Sequence, residues 1–144
     1  MKKIIMILAL ISSSIGALAS GDNVDPKVLN AFNNDFKTAK EVEWTVANNY
    51  FKATFTFNDQ HVFAFYNAEG ELLGLTRYIR LASLPISLQS NLKKNYADYW
   101  ISDLFEVAKD DGTTYYITLE NADSKLVLKA SGNNWSPYQK IRKA

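Results

Sequence analysis

Hydrophobic residues along this chain follow two spacings, a helical one and an alternating one. The helical spacing comes first and the alternating spacing follows it, once in each half of the chain. In DPKVLNAFNNDF, Leu29, Phe32 and Phe36 recur every three or four residues, which predicts a helix with one apolar face. Asp25 suits the N-cap of this helix and Pro26 suits its first turn. A second helix is predicted in LPISLQSNLKKNYADYW. Its start lies near Pro85 and its apolar positions are Leu88, Leu92 and Tyr96.

Alternation of apolar and polar residues follows each helix and predicts four antiparallel strands in each half. In the first half the strand segments are EVEWTVA, YFKATFTF, HVFAFYN and ELLGLTRYI. In the second half, turn sequences at 110–112, 121–124 and 131–134 separate the strands. This order predicts an α+β fold built as a tandem repeat of a helix plus four strands, at about 25–80 and 83–144.

The aromatic stretch FTFNDQHVFAFYNAEGELLGL, at residues 55–75, makes the direction of its rings depend on loop length. A three-residue loop at 58–60 places Phe55 opposite Phe63 and collects the large residues under the helix, whereas a two-residue loop splits the rings between the faces. We predict the three-residue loop, because the second half shows one consistent inward set. The inward residues predicted for the first half are Phe51, Phe55, Phe57, Phe63, Phe65, Leu73 and Leu75. Those predicted for the second half are Tyr115, Ile117 and Leu119, which meet Leu126, Leu128 and Ala130.

The opposite face of the predicted sheet carries tyrosine, small residues and charge, a mixture that suits a protein-binding surface. An ordinary solvated sheet exterior is the alternative interpretation, since scattered apolar groups are normal on surfaces. Pro137 confines the last strand to an edge or a bulge, which favours exposure of the aromatics beside it, with core packing of Trp135 as the alternative. The predicted binding residues are Tyr66, Tyr78, Tyr116, Trp135, Tyr138, Lys52 and Lys129.

The first twenty residues, MKKIIMILALISSSIGALAS, have the features of a signal peptide. Lys2 and Lys3 supply the positive start, and residues 4–11 supply an apolar stretch too short to span a bilayer. Residues 17–19 form a small-x-small cleavage motif. We therefore predict that residues 1–19 are a signal peptide cleaved near Ala19. Residues 20–144 then form a single domain that is periplasmic or secreted, with no stable membrane anchor.

The composition argues against several kinds of site and partner. The chain of 144 residues has no cysteine and a formal net charge of +1, so neither a disulfide framework nor a nucleic-acid surface is expected. His61 is the single histidine, which is too few for a transition-metal site and leaves little basis for a Ser-His-Asp site. No phosphate-binding glycine loop occurs. We predict no catalytic residue, no metal and no cofactor, and a protein that is not an enzyme.

A set of short motifs in the second half is typical of one family. LP opens the helix, and LQSNLKKNY, WISDLFEV, DDGTTYYITLE and LVLKASGN follow. The first half echoes them with VLNAFNNDF, EVEW, YFKATFTF and FAFYNAEGELL. The chain thereby resembles the PepSY-like, beta-lactamase-inhibitor-like family of exported bacterial proteins over nearly all of residues 20–144. This resemblance implies a tandem repeat with both helices on one face of a curved antiparallel sheet, and recognition through the open sheet face.

Together, the patterns and the resemblance predict a non-catalytic exported binding protein, inhibitor-like in mode, whose partner is another exported or periplasmic protein. Small-ligand binding in the concavity of the sheet, for a peptide, lipid or glycan fragment, is the alternative. A pocket lined by Tyr66, Leu72 and Tyr78 would favour that alternative.

Overall fold

The structure is a computed structural model that describes residues 17–19 and 23–144. The chain divides into two compact units, Met1–Leu75 (unit 1) and Thr76–Ala144 (unit 2), and the boundary falls inside one strand. The predicted positive start and apolar stretch of the signal peptide lie outside the described residues. The predicted cleavage motif lies in a short strand, and its cleavage stays a prediction.

Unit 1 consists of one helix and an open antiparallel sheet. Its elements are β1 (Ala17–Ala19), α1 (Pro26–Asp35), β2 (Lys40–Val46), β3 (Phe51–Phe57), β4 (Gln60–Tyr66) and the first half of β5 (Leu72–Tyr78). The helix starts where the sequence predicts, because the Asp25 carboxylate accepts a hydrogen bond from the backbone N–H of Lys27 at 2.9 Å. Strands β1 to β4 pair with one another in chain order, and every pair is antiparallel.

The core of unit 1 forms where α1 packs on one face of this sheet. Val28, Phe32 and Phe36 of the helix are buried. They pack against the sheet residues Trp44, Ala53, Phe55, Ala64 and Tyr66. The Phe32 ring meets Trp44 edge-on at 5.2 Å and Phe55 edge-on at 5.0 Å, a geometry that aromatic pairs favour.

The predicted register of β3 and β4 is wrong. The hairpin loop has two residues, Asn58 and Asp59, so that Phe57 pairs with Gln60 and Phe55 pairs with Val62 instead of Phe63. Both loop residues have positive φ, 49° and 61°, as the two-residue turn that matches strand twist requires, and Asn and Asp tolerate this conformation. The one-residue difference reverses every side chain of β4.

This reversal divides the aromatic rings of unit 1 between the two faces. Phe51, Phe55 and Phe57 pack with the α1 core as predicted, together with Val62 and Ala64 of β4. Phe63, Phe65 and Leu73 instead form a separate cluster with Tyr50. We call the face opposite the helix the helix-free face of each unit.

Unit 2 likewise consists of one helix and an open antiparallel sheet. It contains the end of β5, α2 (Ile86–Asn95), β6 (Trp100–Lys109), β7 (Gly112–Glu120), β8 (Ser124–Ala130) and β9 (Ser136–Arg142). Pro85 precedes the helix, and Lys93 and Lys94 occupy its last turn. Positive charge there interacts favourably with the negative end of the helix dipole. Strands β6 to β9 pair antiparallel in chain order.

The predicted register of β7 and β8 is confirmed. Tyr115, Ile117 and Leu119 lie opposite Ala130, Leu128 and Leu126. These residues pack with Leu88 and Leu92 of α2 in the core of unit 2. A helix with an open antiparallel sheet in each unit makes the chain an α+β protein.

Candidate protein-binding surface

Four aromatic rings cross the helix-free face of unit 2, and we call them the ring row: Tyr78, Phe105, Tyr116 and Tyr138. The Tyr78 ring meets Phe105 edge-on at 6.4 Å, Phe105 stacks on Tyr116 at 5.3 Å with an 18° angle, and Tyr138 meets Tyr116 edge-on at 5.5 Å. The inner rings are buried, whereas Tyr78 is 55% exposed and Tyr138 is half-buried. The row therefore presents accessible rings that are supported by a buried pair.

Strand register explains why these rings share a face. Phe105 and Tyr116 are direct cross-strand partners, and Lys129 lies opposite Tyr116 on the next strand. The ladder between β8 and β9 shifts between Val127 and Leu128, close to Pro137, which cannot donate a ladder hydrogen bond. Tyr138 follows this irregularity and packs on Tyr116, and the Lys129 Nζ lies 5.9 Å from the centroid of the Tyr138 ring.

One end of the same face carries charge around a tryptophan. Trp100 lies opposite Glu120 and is 53% exposed. The Lys143 Nζ lies 4.8 Å from the Trp100 ring centroid and 3.1 Å from Glu120 Oε1, while the Lys125 Nζ lies 3.9 Å from the same oxygen. Hydrogen bonds from Ser102 and Lys143 lower the pKa of Glu120, so this carboxylate stays ionised.

Burial raises the pKa of several acids on this face. It raises the pKa of Tyr116 to about 12, with a further contribution from Tyr138. Burial also raises the pKa of Tyr78, with the Asp103 carboxylate adding to the shift, and it raises the pKa of Tyr138. The tyrosine hydroxyls are consequently protonated at neutral pH and can donate hydrogen bonds.

The helix-free face of unit 1 also pairs a lysine with aromatic rings. Lys52 Nζ lies 4.9 Å from the Phe63 ring centroid, and Phe65 packs against Tyr50 at 5.9 Å. Burial lowers the pKa of Lys52. Lys52 was predicted to face away from the helix, and its contact with Phe63 places it there.

Two of the predicted binding residues lie elsewhere. Tyr66 is buried under α1 and its hydroxyl donates to Asp35, because the two-residue loop turns it toward the helix. Trp135 is 8% exposed, and its indole Nε1 donates to the Leu88 carbonyl of α2 at 3.0 Å, so it belongs to the core of unit 2. The predicted exposure of Tyr66 and Trp135 is wrong, and for Trp135 the alternative of core packing is confirmed.

The other predicted binding residues, Tyr78, Tyr116, Tyr138, Lys52 and Lys129, lie on helix-free faces, and their role in binding stays a prediction. Sequence reasoning missed Trp100 and Phe105. A register irregularity between Ile101 and Asp103 interrupts the alternation that would have placed Trp100 under the helix. The sequence signal for Phe105 was its position beside Leu104. Because Leu104 packs in the core, alternation turns its neighbour Phe105 to the opposite face.

Unit 2 also has a groove on its helix side, with a volume of about 580 Å³. Its walls come from α2, from the segment before α2 and from the start of β6. Its lining includes the apolar and aromatic side chains of Leu81, Ile86, Tyr96, Tyr99 and Ile101, and Lys93 adds one positive charge. The size lies within the range of small-ligand pockets.

The described residues contain no group of three or more His, Cys, Asp and Glu side chains that could hold a metal ion. In the same part of the chain, no helix has the length and apolar character needed to cross a membrane. The helix-free face of unit 2 offers hydrogen-bond donors, lysine and carboxylate charge, and aromatic area.

Solved structures from Bacteroides share this fold at low sequence identity. A BLIP-like protein from Bacteroides fragilis has a TM-score of 0.70 and 14% identity, covering 83% of this chain and 86% of that chain. A DUF2874 family protein from Bacteroides ovatus has a TM-score of 0.74 and 18% identity, covering 85% and 89%. A protein from Bacteroides eggerthii, provisionally described as periplasmic, has a TM-score of 0.73 and 13% identity, covering 83% and 88%.

No protein-family model matches the chain, and no curated protein matches it. At these identities the structural neighbours establish similarity of fold alone. The chain therefore has a BLIP-like fold, which structures of DUF2874 family proteins also resemble.

Proposed function

We propose that this protein is a non-catalytic exported binding protein that recognises another protein through the helix-free face of unit 2. The ring row is the observation that carries the proposal. Tyr78 and Tyr138 present accessible ring surface at its two ends, and they pack edge-on against the buried Phe105 and Tyr116. The BLIP-like and provisionally periplasmic neighbours support a binding module outside the cytoplasm.

Tyrosine side chains held in this way suit protein recognition. They supply large amphipathic contact area at a low cost in conformational entropy, because a tyrosine side chain has only two χ angles. Aromatic residues are enriched among the residues that dominate interface energetics. We accordingly assign the contact anchors of unit 2 to Tyr78, Trp100 and Tyr138, with Lys129 fixing orientation, and we omit Tyr66 and Trp135.

The inhibitor-like mode, the family, the tandem repeat and the role of Lys52, all predicted from the sequence, belong to this proposal. An inhibitor-like mode would mean that the ring row covers a site on an enzyme partner. Membership of the PepSY-like family and a tandem repeat are also part of the proposal. The repeat is supported by the parallel construction of the units, since each has a ten-residue helix before a run of antiparallel strands. Lys52 extends the predicted contact set to unit 1.

The groove beside α2 favours a second candidate function, the binding of a small amphiphilic ligand. Its apolar walls and the Lys93 ammonium suit an apolar group joined to an anion. It lies on the helix side of unit 2, whereas the sequence predicted a ligand in the concavity of the sheet. The Tyr66 hydroxyl is bonded to Asp35 of α1 in unit 1, so this side chain faces the helix and not the helix-free face.

Affinity capture from a periplasmic extract of a producing bacterium, with matched variants as bait, tests the protein-binding proposal. The bait variant Tyr78→Ala/Tyr138→Ala removes the accessible rings, and the control Ile86→Ala removes an exposed apolar side chain from α2. We expect a protein that the wild type and the control enrich, and that the double variant enriches at least about tenfold less. Circular dichroism confirms that each bait is folded.

Two outcomes would contradict the proposal. One is capture of the same proteins in the same amounts by all three baits. The other is the absence of any specifically enriched protein at micromolar bait concentration. A loss of capture in Ile86→Ala alone would place the protein contact at the groove beside α2 and would also contradict the proposal.

A further inference from the structure

The hydroxyl of Tyr116 is buried without a hydrogen-bond partner, and it is the single side-chain atom of this kind among the described residues. The whole residue is 1% exposed. A buried donor without a partner costs free energy, and most buried polar groups in folded proteins avoid that cost. The tyrosine of unit 1 with comparable burial, Tyr66, does have a partner, the Asp35 carboxylate. The unpaired hydroxyl therefore needs an explanation.

The groups around Tyr116 on the helix-free face are donors. Lys129 lies directly opposite it across the β7–β8 ladder, and Tyr138 packs edge-on against its ring at 5.5 Å. The ammonium of Lys129 lies over the Tyr138 ring. Cross-strand pairing and ring contact thus make Tyr116, Lys129 and Tyr138 neighbours on this face, and each side chain carries a donor group. No side-chain acceptor is bonded to Tyr116 or Lys129 in the described residues.

The carboxylates of this face are engaged or lie farther along the strands. Glu120 lies four residues from Tyr116 along β7 and is bridged by Lys125 and Lys143. Asp103 pairs in register with Thr118 rather than with Tyr116. The Lys129 charge consequently has the ring of Tyr138 as its neighbour in place of an anion. A negatively charged acceptor would satisfy both the hydroxyl and the ammonium.

We propose that Tyr116, Lys129 and Tyr138 form a carboxylate subsite that receives an Asp or Glu side chain of the protein partner. The inference rests on the proposed function and adds the chemistry of the group that is recognised. Tyr138 lies on β9, which pairs with β8, and its side chain is half-buried. Rotation of its ring toward solvent opens the hydroxyl of Tyr116 to the incoming carboxylate while Lys129 neutralises the charge.

An NMR titration with two small probes of matched shape tests the subsite directly. N-acetylglutamate α-amide carries a side-chain carboxylate, and N-acetylglutamine α-amide replaces that carboxylate with a neutral amide. We expect the glutamate probe to shift the ring signals of Tyr116 and Tyr138 and the ε-methylene signals of Lys129 saturably, with a Kd of about 10 mM. The glutamine probe should bind at least about fivefold more weakly.

Variants of the wild-type protein complete the test. Tyr116→Phe keeps the ring packing and should weaken the glutamate probe about five- to tenfold, while Lys129→Gln should abolish the preference for glutamate and Lys129→Arg should retain it. Equal binding of the two probes, unchanged binding in Lys129→Gln, or no saturable shift up to 100 mM would each overturn the subsite. If affinity capture survives in Lys129→Gln but is lost in Tyr78→Ala/Tyr138→Ala, the subsite fails while the proposed function stands.

Discussion

The hydroxyl of Tyr66 donates a hydrogen bond to Asp35 Oδ2 at 3.0 Å and thereby joins β4 to the last residue of α1. A carboxylate at a helix C-terminus is opposed by the helix dipole, so a donor at this position is stabilising. We expect Tyr66→Phe to lower the free energy of unfolding by about 1–2 kcal/mol, because it removes a hydrogen bond to a charged group. Urea denaturation followed by circular dichroism measures the change.

Tyr116→Phe is the matched comparison, since it removes a hydroxyl of similar burial that has no partner. We expect the unfolding free energy of this variant to equal or slightly exceed that of the wild type at neutral pH, because an unsatisfied donor is lost. A loss above about 1 kcal/mol would mean that the Tyr116 hydroxyl has a hydrogen-bond partner in solution. A carboxylate subsite at this hydroxyl would then have no support.

Alkaline pH should destabilise the protein through the same residue. The pKa of Tyr116 is about 12 in the folded chain, whereas an unfolded tyrosine titrates near 10. Above about pH 10 the unfolded chain loses a proton that the folded chain retains, so stability is complete below pH 10 and falls as the pH rises toward 12. Urea midpoints across this range should fall less steeply for Tyr116→Phe than for the wild type. Parallel pH curves would contradict this account.

The reliability of sequence reasoning differed between the units for a physical reason. In β7 and β8 the alternating positions differ in character, with Ile117, Leu119 and Leu128 on one face and polar residues near them on the other. In β3 and β4 both faces carry large rings, so the apolar pattern does not choose between registers. Only the length of the Asn58–Asp59 loop decides, and Asn-Asp-Gln allowed two or three residues.

Irregularities in the ladders account for the remaining differences at the candidate site. Bulges change which face a residue occupies without any change in composition. The shift between Ile101 and Asp103 brings Trp100 to the helix-free face. Near the shift between Val127 and Leu128, Trp135 lies in the core while Tyr138 faces away from the helix. Alternation alone contains no information on these shifts.

Gly70 should be intolerant of any side chain. Its φ is +81°, and a Cβ there would lie 2.8 Å from the backbone carbonyl oxygen of Lys27 at the start of α1. Because that oxygen belongs to backbone, it cannot move aside without displacing the helix. We expect Gly70→Ala to lower the unfolding free energy by more than about 2 kcal/mol, combining backbone strain with the clash. Chemical denaturation measures it.

Substitutions at two other glycines distinguish the effect of backbone strain from that of the steric clash. Gly112 has a φ of +134° with open space around it, so Gly112→Ala isolates the strain of the backbone. Gly132 also has open space and needs no positive φ, so Gly132→Ala should be neutral or stabilising by up to about 1 kcal/mol. If Gly70→Ala and Gly112→Ala lower the unfolding free energy equally, the clash between the new Cβ and the Lys27 carbonyl oxygen does not destabilise the protein.

Glu120 should make stability depend on pH in the acidic range. Its pKa is lowered in the folded chain, so its contribution is present above the pKa of an unfolded glutamate, about 4.3, and is lost as the pH falls through the folded pKa. We expect Glu120→Gln to be less stable than the wild type at pH 7 in low salt, and the difference to vanish in strong acid or high salt. Thermal melts across pH and salt measure this difference.

Glu43→Gln is the control for Glu120, because Glu43 is exposed on β2 and forms no salt bridge within the described residues. Its melting temperature should follow that of the wild type at every pH. If Glu120→Gln also follows the wild type at pH 7, the contacts with Lys125 and Lys143 contribute nothing to stability.

The same substitution should destabilise the protein at Trp135 and have little effect on stability at Trp100. Trp135→Phe removes the indole N–H that donates to Leu88 and leaves space in the core, so we expect a loss of about 1–3 kcal/mol in unfolding free energy. Trp100→Phe acts on an exposed ring and should change stability by less than about 1 kcal/mol. Fluorescence gives an independent reading, because removal of the buried indole should shift the remaining emission to longer wavelength and removal of the exposed one to shorter. A stable Trp135→Phe protein with unshifted emission would place Trp135 in solvent and return it to the candidate binding residues.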